Sequence, residues 1–143
     1  MRAGQLFAGL VLAAGAFAPT AAATPPGVEV ETLSKNTVDG TDYIVARNTV
    51  APGAGTGWHY HPGDVFRYIA EGTMTHWNAL GDGGCAVDEV YATGAPVKEG
   101  VGPGFVHNGR NEGSTPLVME VVYVNPAGTP LSVEVTEPNC GDS

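Results

Sequence analysis

An apolar–polar alternation of period two opens a series of β-rich runs along this chain. Val28-Glu29-Val30-Glu31 pairs each valine with an acid, the mark of a strand with one face buried. Further β-rich runs occupy Tyr43–Val50, Val65–Ala70, Thr73–Asn78, Val87–Tyr91, Leu117–Val124 and Leu131–Val135. Turn-forming residues separate them at Asp39-Gly40, Pro52-Gly53, Glu71-Gly72, Gly81–Gly84, Gly102-Pro103-Gly104, Asn111–Pro116 and Asn125–Pro130. Short strands at such regular spacing predict an all-β domain, a sandwich, jelly roll or barrel. After Pro26 no window of about 11 residues carries the 3.6-residue apolar period, so almost no helix is expected.

The first segment breaks this pattern. Leu6–Ala18 is a continuous apolar run behind Met1 and Arg2, followed by Ala21-Ala22-Ala23 and the stiff Thr24-Pro25-Pro26. The run is too short to span a hydrocarbon core of about 30 Å as a helix, so it reads as a signal peptide, residues 1–23, cleaved on export. One domain, residues 24–143, remains. Secretion or release into a periplasm is expected, with no membrane span after the leader is removed.

Charge narrows the partners. The chain carries 15 acidic and 6 basic residues, and removal of Arg2 with the leader leaves a net charge of −10. Phosphate backbones require clustered Lys and Arg, so nucleic acid is excluded as a partner. Two cysteines, Cys85 and Cys140, are expected to pair in an oxidising compartment, pinning the C-terminal tail to the Gly81–Gly84 turn.

The four histidines fall at 59, 61, 76 and 107. In His59-Tyr60-His61 the two imidazoles are two residues apart, which on a strand places them on one face. Such convergence is what a metal ion needs, with Nε2 atoms about 2.0–2.1 Å from it. The surrounding residues read Gly53-Ala54-Gly55-Thr56-Gly57-Trp58-His59-Tyr60-His61-Pro62-Gly63-Asp64, then Val65–Ala70, Glu71 and Gly72. Later, Gly102-Pro103-Gly104-Phe105-Val106-His107 is followed by Asn111.

These two stretches resemble, in the right order, the first and second motifs of the cupin superfamily. The resemblance implies a jelly-roll, or double-stranded β-helix, barrel. It also implies one metal ion inside, held in cupins by two first-motif histidines, a first-motif glutamate and a second-motif histidine. Carried onto this chain it nominates His59, His61 and His107. The glutamate does not carry over: Val65 occupies its expected place, and the nearby carboxylate is Asp64, one residue earlier. A one-residue step along a strand turns a side chain to the other face. Asp64 is therefore a candidate fourth ligand only if Pro62-Gly63 bends the strand entry.

Two further residues are candidates for chemistry. Glu120 lies mid-strand in Leu117–Val124, apolar on both sides, where a buried unpaired carboxylate would be costly. Its alternative is an ion pair with a basic residue at the barrel rim. Arg67 shares a face with Val65 and Ile69, and offers a fork for a carboxylate ligand if that face lines the pocket. His76 matches no cupin ligand position and reads as a solvated or hydrogen-bonded strand histidine, with a place in the pocket as the alternative. Imidazoles accept copper, zinc, manganese, iron or nickel, so the expected cofactor is one divalent transition metal of open identity. The expected function is a metal-dependent oxygenase or isomerase-like enzyme on a small organic molecule. The alternative is a non-catalytic module binding metal or a small ligand. A homodimer is a further expectation, since many cupins pair barrels through edge strands.

Overall fold

The computed structural model describes residues 23–140. The signal-peptide reading falls on residues 1–22, which lie outside them. Ten strands follow in order: β1 (Val28–Val38), β2 (Thr41–Val50), β3 (His59–Tyr60), β4 (Asp64–Glu71), β5 (Thr73–Ala79), β6 (Cys85–Ala92), β7 (Pro96–Glu99), β8 (His107–Arg110), β9 (Leu117–Pro126) and β10 (Val133–Glu134). They form two five-stranded sheets, ordered β1-β2-β9-β4-β7 and β10-β3-β8-β5-β6, with every pairing between named strands antiparallel. No helix occurs among the described residues, so none is long and apolar enough to cross a membrane.

Local chemistry explains the outline. β1 and β2 meet at Asp39-Gly40, both with positive φ (46° and 76°), the conformation that a two-residue hairpin turn of matching twist demands. In β4 the alternation buries Val65, Arg67 and Ile69 and leaves Phe66 and Tyr68 outside. In β9 it buries Leu117, Met119, Val121 and Tyr123. Ten of the eleven residues in the apolar core belong to the first sheet, and only Met74 comes from the second. The second sheet instead turns His59, His76 and His107 inward, so the interior is aliphatic on one wall and imidazole-rich on the other.

The disulfide forms as expected, joining Cys85 at the start of β6 to Cys140. It holds down a tail that begins after β9 and returns as β10 to pair with β3, Glu134 opposite His59. Strands β7 and β8 were not anticipated, and β1 runs seven residues further than its alternating start.

Candidate metal centre

Strand register gathers the histidines. His59 on β3 lies directly opposite His107 on β8, and His61 follows two residues after His59 on the same face. Each ring is fixed by its other nitrogen. His59 Nδ1–H donates to the Gly57 carbonyl at 2.8 Å, His61 Nδ1–H to Leu131 at 2.7 Å, and His107 Nδ1–H to Phe105 at 2.9 Å. The Phe105 ring packs on Gly100, where a Cβ would sit 2.3 Å from it. With all three protons on Nδ1, the three Nε2 atoms present bare lone pairs to a common point. The Nε2 atoms of His59 and His61 are 3.2 Å apart, and the ligand atoms of all three lie within 4.8 Å.

A carboxylate completes the group, and it was not foreseen. Glu99, at the end of β7, is 4 % exposed and directly opposite Val65 on β4. The position across the ladder thus supplies the acid that the resemblance places at Val65. Glu99 Oε2 is 2.8 Å from His61 Nε2, and Oε1 is 3.2 Å from His107 Nε2. The Arg67 guanidinium is also in close contact with Oε2. Burial alone would raise the Glu99 pKa, but Arg67 and the surrounding imidazoles hold it well below the usual carboxylate range. Burial, with His107 and His61 adjacent, depresses His59 from 6.5 to about 3, so that ring is neutral near pH 7.

The donor set fits a metal ion. Bonds of about 2.1 Å place neighbouring donors about 3.0 Å apart at a right angle and about 3.4 Å apart at a tetrahedral one. The contacts of 2.8 and 3.2 Å fall in or beside that range. Lone pairs and a carboxylate facing one another without intervening protons repel, and a cation among them removes the repulsion.

The other candidates are placed differently. Asp64 is half exposed on the outer face of β4 and takes an ion pair from Lys98 Nζ at 2.9 Å; no bend at Pro62-Gly63 turns it inward. Glu120 points outward from β9 and pairs with Arg47 at 2.9 Å, because the neighbouring outward positions of β9 are only partly covered. Neither stands among the converging groups. Arg67 is inward, as one reading allowed, but Glu99 already occupies its fork. One of its terminal nitrogens lies against the sulfurs of Met74 and Met119. His76 is buried, not solvated, and its ring stacks on His107. Asn111 binds no site: its amide bridges the Val50 and Thr115 carbonyls and accepts from Gly113 N–H.

A cavity of about 280 Å³ opens beside the cluster, with His59, His61, Arg67, Asn48, Tyr123 and Leu131 on its wall. Asn48 Nδ2–H donates to the Tyr123 hydroxyl at 3.0 Å. Among the described residues Asn48 Oδ1 and Arg67 Nε find no hydrogen-bond partner.

No protein-family model matches the chain, and no curated protein matches it. Solved structures do. A Klebsiella pneumoniae protein with a double-stranded β-helix domain is 20% identical, covering 76% of this chain and 84% of its own, with a TM-score of 0.56. A cupin domain from Bordetella pertussis is 20% identical over 73% of this chain and 99% of its own, with a TM-score of 0.55. A mutant of Bacillus subtilis oxalate decarboxylase is 22% identical over 82% of this chain, with a TM-score of 0.55, and the match spans 30% of the decarboxylase. The fold of this chain is therefore the cupin double-stranded β-helix.

Proposed function

We propose that this chain is an exported metal-binding cupin. In this reading His59, His61 and His107, with Glu99 as a fourth donor, hold one divalent transition metal beneath a cavity for a small organic molecule. One observation carries the reading: three Nε2 lone pairs, each set by an Nδ1–H bond to a backbone carbonyl, converge on one another and on a buried carboxylate. A metal-binding histidine almost always has its second nitrogen held in this way. The Cys85–Cys140 disulfide suits an oxidising extracellular or periplasmic compartment.

Three neutral imidazoles and one carboxylate leave a bound divalent ion net positive, so it supplies Lewis acidity, or dioxygen chemistry if it is redox-active. The protein's own groups do the rest. His59 and His61 line the cavity, so a bound molecule reaches the centre from that side. Arg67 lines the same wall, but its Nη2 is bound to Glu99 and its Nη1 lies on the sulfurs of Met74 and Met119, so no free fork faces a carboxylate ligand. Asn48 and Tyr123, joined by a hydrogen bond, form a polar part of that wall. These features support a metal-dependent oxygenase or isomerase-like enzyme. Binding of the same small ligand without turnover is the alternative, and oxygen uptake in a metabolite screen separates the two.

Elemental analysis of protein purified from an oxidising compartment tests the centre. Close to one transition metal per chain is expected, with loss of that metal in His59→Ala and His107→Ala. Full metal retention in both variants would refute the assignment.

A further inference from the structure

A second set of donors lies behind the histidines that face the cavity. His76, on β5, points inward two residues after the core residue Met74, and a register shift follows it in the pairing with β6. Its ring stacks on His107, with centroids 5.1 Å apart and planes 29° apart. Its Nδ1–H donates to Asp88 Oδ2 at 3.2 Å, from a β6 carboxylate whose side chain is 46% exposed. The proton is thus drawn to Nδ1, and Nε2 presents a bare lone pair to the interior. That lone pair stands 3.6 Å from Glu99 Oε1, which is 3.2 Å from His107 Nε2. All three atoms are buried, and none has a hydrogen-bond partner among the described residues.

An ordinary core histidine has both nitrogens satisfied, since an unpaired buried acceptor costs about 1–3 kcal/mol. His76 has one satisfied nitrogen and one aimed at a carboxylate. A charge-assisted bond from an imidazolium would draw Nε2 to about 2.7–2.9 Å from the oxygen. The observed 3.6 Å is longer, and suits two donors around one cation. The Asp88–His76 pair also has the form of the carboxylate–histidine pairs that orient metal-binding imidazoles.

We propose that His76 is a metal ligand, and that His76, Glu99 and His107 form an inner coordination position overlapping the outer one of His59, His61 and His107. The ligand atoms of each triad lie within 4.8 Å of one another. This inference rests on the metal-binding reading above, and nothing in the cupin resemblance points to it. His107 belongs to both triads and its Nε2 has a single lone pair, so the centre holds one ion with two available positions. The outer position opens on the cavity through His59 and His61, whereas His76, Glu99 and His107 are not part of the cavity wall.

The test uses the exported protein purified from an oxidising compartment, stripped with chelator and titrated with Zn(II) alone. Wild type should bind one ion per chain. His76→Ala should bind one ion at least tenfold more weakly. Asp88→Asn, at a half-exposed site that puts folding at little risk, should lose affinity about tenfold, the usual effect of removing a carboxylate that orients a ligand histidine. His59→Ala, although purified without its metal, should still bind added Zn(II) weakly through the inner position, and His59→Ala/His76→Ala should not. With Cu(II), the nitrogen hyperfine pattern should change on His76→Ala. Wild-type affinity together with an unchanged copper spectrum in His76→Ala and Asp88→Asn would overturn the role of His76 and leave the outer site standing. Complete loss of binding in His59→Ala would overturn the inner position. A wild-type protein that binds no zinc would instead overturn the metal-binding reading itself.

Discussion

Replacing Glu99 by glutamine separates two jobs that the wild-type carboxylate performs together. The change keeps the shape and removes one charge from a site where the Glu99 and Arg67 side chains are 1% and 2% exposed. Breaking a buried ion pair by neutralising one partner costs about 3–5 kcal/mol, because the other charge stays buried. The new amide has N–H groups that the carboxylate lacked, and one can donate to the bare Nε2 of His61, now 2.8 Å from Oε2. That bond returns about 1 kcal/mol, leaving a net loss of about 2–4 kcal/mol in metal-free protein. A small domain unfolds in urea with a slope of about 1–3 kcal/mol/M, and at the middle of that range, about 2 kcal/mol/M, the midpoint should fall by about 1–2 M. Trp58 and Trp77 provide the fluorescence signal, with chelator present throughout. Arg67→Met/Glu99→Leu, which removes both charges, should recover most of the loss. Zinc affinity should meanwhile drop at least tenfold in Glu99→Gln. A metal-free midpoint within about 0.3 M of wild type, on the same slope scale, would show that Arg67 does not depend on Glu99. Unchanged zinc affinity would remove Glu99 from the ligand set.

Other outcomes follow from the same structure. Metal-free protein should lose stability as pH falls, because His59 takes a proton near pH 6.5 when unfolded but only near 3 when folded. Its contribution is complete above about pH 6.5 and declines at up to about 1.4 kcal/mol per pH unit toward 3, and Glu99 adds to the decline below its ordinary range near 4.5. Urea midpoints that stay level from pH 7 to 4.5 would contradict this. Leu117→Ala, at a fully buried core position, should cost about 2–5 kcal/mol without altering metal content, read by denaturation and elemental analysis. Glu120→Ala, which breaks a surface pair with Arg47, should change stability by about 1 kcal/mol or less and leave zinc affinity intact. Reducing the disulfide releases a loop of 55 residues and should lower stability by up to about 4 kcal/mol, visible as a lower melting temperature with reductant.

Most of the barrel was readable from β-rich runs set between turn residues, because interior strands concentrate β-branched and aromatic side chains. Val65–Ala70 and Leu117–Val124 are such runs, and both are interior strands of the first sheet. β7 was not readable, for physical reasons. Pro96-Val97-Lys98-Glu99 is four residues long, begins with proline and buries a single aliphatic side chain. Its inward pair is one valine and one acid, and a glutamate after a lysine ordinarily reads as surface. Local sequence pointed to Glu120 rather than Glu99, because the apolar neighbours of Glu120 made it the better candidate for burial. Register separates them: Glu99 faces Val65 across the ladder, and Glu120 faces Arg47. His59 and His61 were legible because a strand makes His-x-His converge by itself, and His107 through the likeness of its stretch to the second cupin motif. His76 was not, because its role depends on Asp88 from a different strand and on the stacking of two rings.

The crosslink at Cys140 reaches further than the tail it ties down. Leu131, whose carbonyl holds the His61 ring, lies nine residues before Cys140, in the segment whose short strand is stitched to β3 beside His59. The crosslink thus anchors the far end of the segment that aims one imidazole. A thiol-trapped, unoxidised chain is expected to bind added zinc more weakly than the oxidised protein, and equal affinity in the two would show that the segment holds its place without the bond. The bond that looks like a simple fastener at the end of the barrel therefore bears on the placing of a histidine at its middle.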